Sequence, residues 1–116
     1  MSLPLKFAVV GLGHIGRRHA EMIRRHDGCE LIAGCDVLPE AEIKDAENFA
    51  FYEDMADMLA AHREVDVVCI CTPNGLHAEQ ALMALEAGHH VILEKPMALS
   101  RRDGEAVLHK ALEVGK

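Results

Sequence analysis

Apolar residues along this chain follow two patterns that alternate from one end to the other. Short continuous apolar runs predict strands buried on both faces, whereas apolar residues spaced three and four positions apart predict amphipathic helices. The strands are predicted at residues 7–10, 30–36, 51–52, 65–72 and 90–93. Helices are predicted to begin near His14, Asp54, Gly75 and Ser100. Strands alternating with helices predict an α/β fold, a doubly wound parallel sheet of the Rossmann type.

Local signals refine this pattern. Asp54 is expected to cap the helix that follows it, and Gly88 fits the position just beyond a helix end. The stretch 37–48 is rich in acids and contains Pro39, so we predict a loop and at most a short helix there. The first helix, 14–26, is expected to turn one side toward the sheet; that side carries Ile15, Met22, Ile23 and His26.

Loops at one edge of the predicted sheet carry the polar and glycine-rich features. In the doubly wound order the first and fourth strands are neighbours, and the crevice beyond their carboxyl ends binds the ligand. The loops at that edge begin at Gly11, Asp36, Thr72 and Glu94. We therefore expect any ligand site to be built from these four loops.

Composition narrows the class of protein. The chain has 116 residues, which suits one domain over 1–116, and its formal charge of −7 argues against a nucleic-acid partner. No apolar run reaches the ~20 residues of a membrane span, and the start lacks a signal-peptide layout, so we expect a cytoplasmic protein. Its cysteines are expected to be reduced and mostly buried, with Cys69 and Cys71 on one strand face. No metal site is expected, and His89 and His90 are expected to be exposed.

The glycine-rich segment Gly11-Leu12-Gly13-His14-Ile15-Gly16 directly follows a predicted strand and opens a helix. In that setting the first glycine permits a tight turn and the second lets a diphosphate approach the backbone. The third lets the helix pack close to the strand. Free N–H groups at the helix start would hold the phosphates. The segment therefore predicts a dinucleotide site.

Asp36 lies 20 residues after Gly16, at the end of the second predicted strand. A carboxylate there can accept hydrogen bonds from both adenosine ribose hydroxyls and would repel a 2′-phosphate. The next residues, Val37 and Leu38, supply no cation that would attract such a phosphate. NAD is therefore favoured over NADP as the cofactor.

Three motifs taken together resemble the Gfo/Idh/MocA oxidoreductase family, named for glucose-fructose oxidoreductase and inositol dehydrogenase. They are Gly11-x-Gly13-x-Ile15-Gly16-x-x-His19, Thr72-Pro73-Asn74-x-x-His77-Ala78 and Glu94-Lys95-Pro96. The motifs span nearly the whole chain. Within the family, the run 69–98 looks most like enzymes that act on UDP-linked amino-sugar uronic acids.

The resemblance implies roles for the residues after the fourth and fifth strands. Thr72, Pro73 and Asn74 would line the nicotinamide ribose, and Glu94 would hold the nicotinamide end. Lys95 would be catalytic, reaching the substrate hydroxyl and sharing proton transfer with a histidine of a second domain. A partly desolvated lysine can have its pKa lowered into a useful range. The predicted cofactor-binding set is completed by His14, Ile15, His77 and, in addition to its catalytic role, Lys95. A packing or backbone-bonding role is favoured for His77 and His19.

The resemblance also implies what lies outside these residues. The family continues into a sixth strand and a substrate domain, so this chain is expected to bind cofactor but to turn over no sugar or sugar nucleotide alone. The fifth strand would then be an exposed apolar edge, and self-association into a homo-oligomer is expected.

Two other classes of protein share part of the pattern. A regulatory nucleotide-sensing module would keep the glycine segment and Asp36 without needing Glu94 or Lys95. A methyltransferase also combines a glycine-rich loop with an acid ending the second strand, although the spacing of the three glycines and the Thr72-Pro73-Asn74 turn argue against it. Ligand choice separates them: NAD, a regulatory nucleotide or S-adenosylmethionine.

Overall fold

The computed structural model describes residues 4–38, 42–43, 48–72 and 76–93. Its strands are β1 (Leu5–Val10), β2 (Cys29–Cys35), β3 (Ala50–Tyr52), β4 (Val67–Ile70) and β5 (His90–Leu93). Its helices are α1 (His14–Arg25), α2 (Met55–Ala61) and α3 (His77–Glu86). The predicted alternation is confirmed over these elements. The helix expected after Ser100 and most of the stretch 37–48 lie outside the described residues.

The described strands form one parallel sheet in the order β3-β2-β1-β4-β5. Strand β1 lies at its centre, between β2 and β4, which confirms that the first and fourth strands are neighbours. The chain moves outward from β1 in one direction through β2 and β3, and in the other through β4 and β5. The crevice of a doubly wound sheet opens where these two directions part, beyond the carboxyl ends of β1 and β4.

Both faces of the sheet are covered, because alternate residues of each central strand enter different apolar clusters. Ala8 and Val10 of β1 pack with Met58 of α2, whereas Val9 between them packs with Ile23 of α1. The continuous apolar runs of the sequence are thus explained by burial on both sides. Sheet and helices form three layers, and the loops at the strand ends are left free to build a site.

The buried face of α1 differs from the predicted one. Ile15 is 41% exposed, Met22 is 69% exposed and His26 is also exposed, so the expectation for these three was wrong. The residues toward the sheet are Gly16, Ala20 and Ile23. Small side chains let the helix approach the strands closely. This close packing, and not the size of the apolar side chains, determined which side of α1 is buried.

His89 is also placed differently from expectation, because it is 1% exposed while His90 is exposed as predicted. Its backbone N–H donates to Ala84 O at 3.1 Å, just beyond the end of α3, and its ring is buried. There Nδ1 lies 2.6 Å from Val65 O, and since a carbonyl accepts, Nδ1 carries the proton. Within the described residues, Nε2 has no hydrogen-bond partner.

Strand β2 has two irregularities. Its register against β1 shifts between Phe7 and Ala8, which leaves Ile32 as an extra residue in the pairing. Two residues on, a Cβ added at Gly34 would lie 2.5 Å from Cε2 of Phe49. The ring of Phe49 thus lies directly over the glycine and packs with the apolar cluster that contains Val9 and Ile23.

Both predicted helix ends are confirmed. Asp54 is the N-cap of α2, and Gly88 follows α3 with a φ of +91°. All four cysteines are free thiols; Cys35 and Cys69 are buried, whereas Cys29 and Cys71 are half-buried. Cys69 and Cys71 pack with the same cluster, as expected for one strand face.

Candidate cofactor-binding site

The first glycine of the loop after β1 is required by both conformation and space. Gly11 has a φ of +89°, a region that side chains disfavour. A Cβ there would lie 2.8 Å from the carbonyl carbon of Cys71 and 2.9 Å from Cγ2 of Thr72. The turn therefore lies against the end of β4, and the two loops meet across the crevice.

The third glycine joins the helix to the strand. A Cβ at Gly16 would lie 1.7 Å from Gly11 O, so only a residue without a side chain fits there. Gly16 is buried at the first turn of α1. This contact sets the angle at which the helix leaves the strand.

The second glycine is different, because nothing in the described structure crowds it. Gly13 is exposed, and a Cβ added there would meet no atom within 4 Å. Its φ of −74° and ψ of −160° are open to any residue. The fold itself does not demand a glycine here, but a diphosphate approaching the backbone would.

The start of α1 suits an anion. Gly13 is the N-cap and provides no side-chain hydrogen bond, and the first turn contains no acidic residue. The first N–H groups of a helix lack intrahelical partners and carry the positive end of the helix dipole. A phosphate placed beside Gly13 would meet these donors.

Asp36 directly follows β2 and is half-buried. Its Oδ2 accepts a hydrogen bond from Leu12 N at 2.7 Å, and its Oδ1 accepts one from Leu38 N at 2.9 Å. The structure thus brings the predicted ribose acceptor into direct contact with the glycine loop. A carboxylate has about four acceptor positions, so one remains on each oxygen for the two ribose hydroxyls.

Thr72 ends the loop after β4 and is held by α3. His77 is buried, and its Nε2 donates to Thr72 O at 2.6 Å. The hydroxyl of Thr72 hydrogen-bonds to Oε1 of Gln80, one helical turn beyond His77. These contacts fix the backbone and the side chain of Thr72 beside Gly11.

Sequence reasoning missed two participants in this arrangement. Leu12 is buried and supplies the N–H that bonds Asp36, and Gln80 bonds Thr72. Gln80 lies three residues after His77 on α3, so the helical period was a usable signal for it. Nothing in the local sequence marks the contact of Leu12 with a residue 24 positions away.

Several predicted site residues lie outside the description. The structure describes neither Pro73 and Asn74 nor Glu94 and Lys95, and it gives no side-chain placement for His14. Their roles stay predictions. The described residues brought together at the crevice are Gly11, Gly13, Gly16, Asp36 and Thr72, with His77 behind them. Ile15 lies in the first turn of α1 and is exposed.

One thiol lies close to this edge of the sheet. Burial first, and then the carboxylates of Asp36 and Asp54, together raise the pKa of the Cys35 thiol to about 11. Cys35 is therefore a neutral thiol at neutral pH and is unsuited to nucleophilic chemistry.

Among residues 4–38, 42–43, 48–72 and 76–93, no group of three His, Cys, Asp or Glu side chains could hold a metal ion.

Fold and site together define a dinucleotide-binding Rossmann domain. The family model described as "Oxidoreductase family, NAD-binding Rossmann fold" (Gfo/Idh/MocA) matches residues 5–116. The chain therefore belongs to the Gfo/Idh/MocA oxidoreductase family and is an NAD-binding domain of that family. The resemblance inferred from the three motifs is confirmed.

Individual relatives agree with this assignment. D-glucoside 3-dehydrogenase of Escherichia coli K12 is 37% identical over 119 residues, which cover 99% of this chain and 34% of that enzyme. The 4-carboxy-2-hydroxymuconate-6-semialdehyde dehydrogenase of Sphingobium sp. is 34% identical over 96% of this chain and 36% of its own length. The chain thus spans about a third of the curated relatives it matches.

A solved structure shows the same fold. The WlbA dehydrogenase from Bordetella pertussis, crystallised in complex with NADH and UDP-GlcNAcA, matches with a TM-score of 0.89 and 36% identity. The match covers 97% of this chain and 35% of that one.

In the part of this chain that the structure describes, no helix has the length and apolar character needed to cross a bilayer.

Proposed function

We propose that this chain is the cofactor-binding part of an NAD-dependent dehydrogenase that oxidises a hydroxyl of a sugar or sugar nucleotide. When bound, NAD supplies the acceptor for the hydride that leaves the carbinol carbon. The observation that carries the proposal is the open, uncapped start of α1 at Gly13, with Asp36 beside it. The helix start suits the diphosphate, and the carboxylate of Asp36 suits the adenosine ribose.

We extend the proposal to the residues expected at the nicotinamide end. Thr72, Pro73 and Asn74 would line the nicotinamide ribose, and Glu94 would hold the ring. Lys95 would exchange the proton of the substrate hydroxyl, together with a histidine supplied by a substrate domain. The position of Thr72 against Gly11 supports a single crevice that runs from the phosphates toward the carboxyl end of β4.

The substrate class rests on the relatives. One relative is a dehydrogenase of D-glucosides, and the WlbA crystals contained UDP-GlcNAcA. Another relative acts on a muconate semialdehyde, so the fold of this domain does not restrict the substrate to sugars. We favour a sugar or sugar nucleotide because the WlbA match is strong in structure as well as in sequence.

The substitution Gly13→Ala tests the phosphate site. The added methyl group meets no atom of the described residues within 4 Å, so stability should be retained, but it occupies the space a diphosphate needs. NADH affinity measured by calorimetry should fall by about tenfold or more, or roughly 1.4 kcal/mol. Gly28→Ala, at an exposed glycine before β2, is the matched control and should bind as wild type does. Equal affinities for wild type and Gly13→Ala would overturn the proposed site.

Parallel titrations with NADH and NADPH test the cofactor preference. The charge of Asp36 should make NADH bind more tightly than NADPH, because the carboxylate repels a 2′-phosphate. Tighter binding of NADPH would reverse the assignment of the cofactor while leaving the fold untouched.

Activity should need residues beyond this chain. We expect the 116-residue chain to bind NADH but to reduce no NAD when sugars or UDP-sugars are supplied. In a longer protein that carries this domain, Lys95→Met should abolish turnover in a protein that still binds NADH. Full turnover by that variant would show that Lys95 does not carry the proton transfer. A longer wild-type protein that binds NADH without any turnover would instead favour a nucleotide-sensing role for this chain.

We also propose self-association and a reducing compartment. Strand β5 lies at the end of the described sheet, and Ile92 on it is 44% exposed, which suits pairing with another chain. Light scattering at high concentration should detect oligomers, and a clean monomer would contradict this. Cysteines that form no disulfide fit a reducing environment such as the cytoplasm.

A further inference from the structure

The loop that would hold the diphosphate is attached to the end of β2 by two consecutive N–H groups. Gly11 N donates to Cys35 O at 2.8 Å, which continues the backbone pairing between the strands. Leu12 N then donates to Oδ2 of Asp36 at 2.7 Å, where a side chain replaces the backbone acceptor. The second bond lies one residue before Gly13, the glycine with open space above it.

The Leu12 bond is important because of where Leu12 lies. The residue is buried, and a buried N–H without an acceptor is costly. Its partner is ionised, which makes the bond stronger than one between neutral groups. The carboxylate is itself oriented by Leu38 N, bonded to the other oxygen at 2.9 Å. Asp36 is thus held at one oxygen while it holds the glycine loop at the other.

We propose that Asp36 is a positioning residue for the phosphate-binding loop as well as an acceptor for the ribose. By fixing the N–H of Leu12, it keeps Gly13 and the start of α1 in the arrangement that receives the diphosphate. Affinity for the phosphates then depends on Asp36 even when the ligand has no ribose hydroxyl to offer. The inference rests on the proposed function, because it concerns the same crevice.

Charge removal and loss of the loop contact should change the affinity for a phosphate ligand in opposite directions. Removing a negative charge near a diphosphate reduces repulsion, so it should strengthen the binding of a phosphate ligand if charge alone matters. Loss of the loop contact should weaken that binding. A fall in affinity for a ligand without ribose hydroxyls therefore distinguishes loop positioning from both charge removal and ribose recognition.

The experiment compares ADP with 2′,3′-dideoxy-ADP, which keeps the diphosphate and lacks the hydroxyls. NMR titrations would measure both affinities for wild type, Asp36→Ala and Asp36→Asn. For the dideoxy ligand, Asp36→Ala should lose about tenfold in affinity, the value of one charge-assisted hydrogen bond. Asp36→Asn, which retains one acceptor oxygen, should recover part of the loss. Unchanged or improved affinity of Asp36→Ala for the dideoxy ligand overturns the inference.

Two further measurements separate this outcome from failure of the proposed function or of folding. If the wild-type chain does not bind NADH, the proposed function is wrong. Amide exchange still tests whether Asp36 positions the glycine loop. The Leu12 amide should exchange faster in Asp36→Ala, whereas the amide of Cys71, bonded to Val10 O at 2.8 Å, should keep its protection. Unchanged exchange at Leu12 counts against positioning. Glu53→Ala removes an exposed acid just past β3 and should alter neither measurement.

Discussion

Helices α1 and α2 both begin just after a strand ends, but their first turns are built differently. Asp54 caps α2, and its Oδ1 accepts from Ala56 N at 2.8 Å and Asp57 N at 3.3 Å. Helix α1 begins at Gly13, which has no side chain to offer. Relative to glycine, a capping side chain is worth roughly a few tenths of a kcal/mol, so α1 forgoes a small stabilisation that α2 has.

The difference indicates where a ligand is expected. The first N–H groups of α2 are satisfied within the chain, and Asp54 and Asp57 place negative charge at its start. Helix α1 has no capping side chain at its N-cap residue and no acid in its first turn. It compensates through 12 residues of length, against 7 in α2, and through close packing at Gly16 and Ala20. An uncapped but well-packed helix start is thus prepared for an external anion.

The largest effect should follow from Gly16→Ala, which disrupts the packing that supports the uncapped helix. The new Cβ would lie 1.7 Å from a backbone oxygen that has no room to move. We expect a loss of about 3 kcal/mol or more in the free energy of unfolding, measured with urea. Gly13→Ala, in the same loop but in open space, is the control. Similar stability of the two variants would mean that Gly16 does not set the helix angle.

Gly13→Asp should make α1 resemble α2. The backbone of Gly13 is already in the extended region that N-cap residues adopt, so Asp can cap the helix without strain. Unfolding free energy should rise by roughly a few tenths of a kcal/mol. NADH binding should be lost, because a carboxylate then occupies the phosphate position. Retained NADH affinity in a stabilised variant would refute the division of roles between the two helices.

Asp54→Ala should make the opposite change in α2. Loss of the cap should lower the free energy of unfolding by about 1 kcal/mol. NADH affinity should stay at the wild-type value, because α2 is not part of the proposed crevice. Glu53→Ala, which removes a neighbouring acid with no role in the cap, should leave both quantities unchanged. A fall in affinity for Asp54→Ala would show that the two helix starts are coupled.

The smallest expected effect is a dependence of stability on pH that arises from the Cys35 thiol, whose pKa is affected by both Asp36 and Asp54. The pKa of Cys35 is raised from 9.0 to about 11 in the folded chain, first by burial and then by Asp36 and Asp54. The unfolded chain therefore loses this proton first, and stability from the neutral thiol, complete below pH 9, falls as pH rises toward about 11. Urea midpoints across this range should decline less steeply for Cys35→Ala. Equally steep declines of the urea midpoint in wild type and Cys35→Ala would contradict a raised pKa for Cys35.

The strands and the conformational roles of single residues at strand and helix ends could be predicted from the sequence, because these depend on local pattern. The neighbouring positions of the first and fourth strands followed from the doubly wound topology. Gly11, Gly16 and Asp54 are placed as their neighbours in sequence implied. The buried face of α1 was mispredicted, because close packing favoured Ala20 over the larger Met22. His89 was mispredicted because its partner, Val65 O, is 24 residues away. The bond from Leu12 to Asp36 depends likewise on how two strands are aligned.

The packing of Phe49 over Gly34 bears on how this domain tolerates change. A side chain at position 34 would enter the space of the ring, with a separation of 2.5 Å between the new Cβ and Cε2. The two positions share one fixed volume, so growth of one requires shrinkage of the other. Relatives that carry a larger residue in place of Gly34 should therefore carry a smaller one in place of Phe49, and the two substitutions should be inherited as a pair.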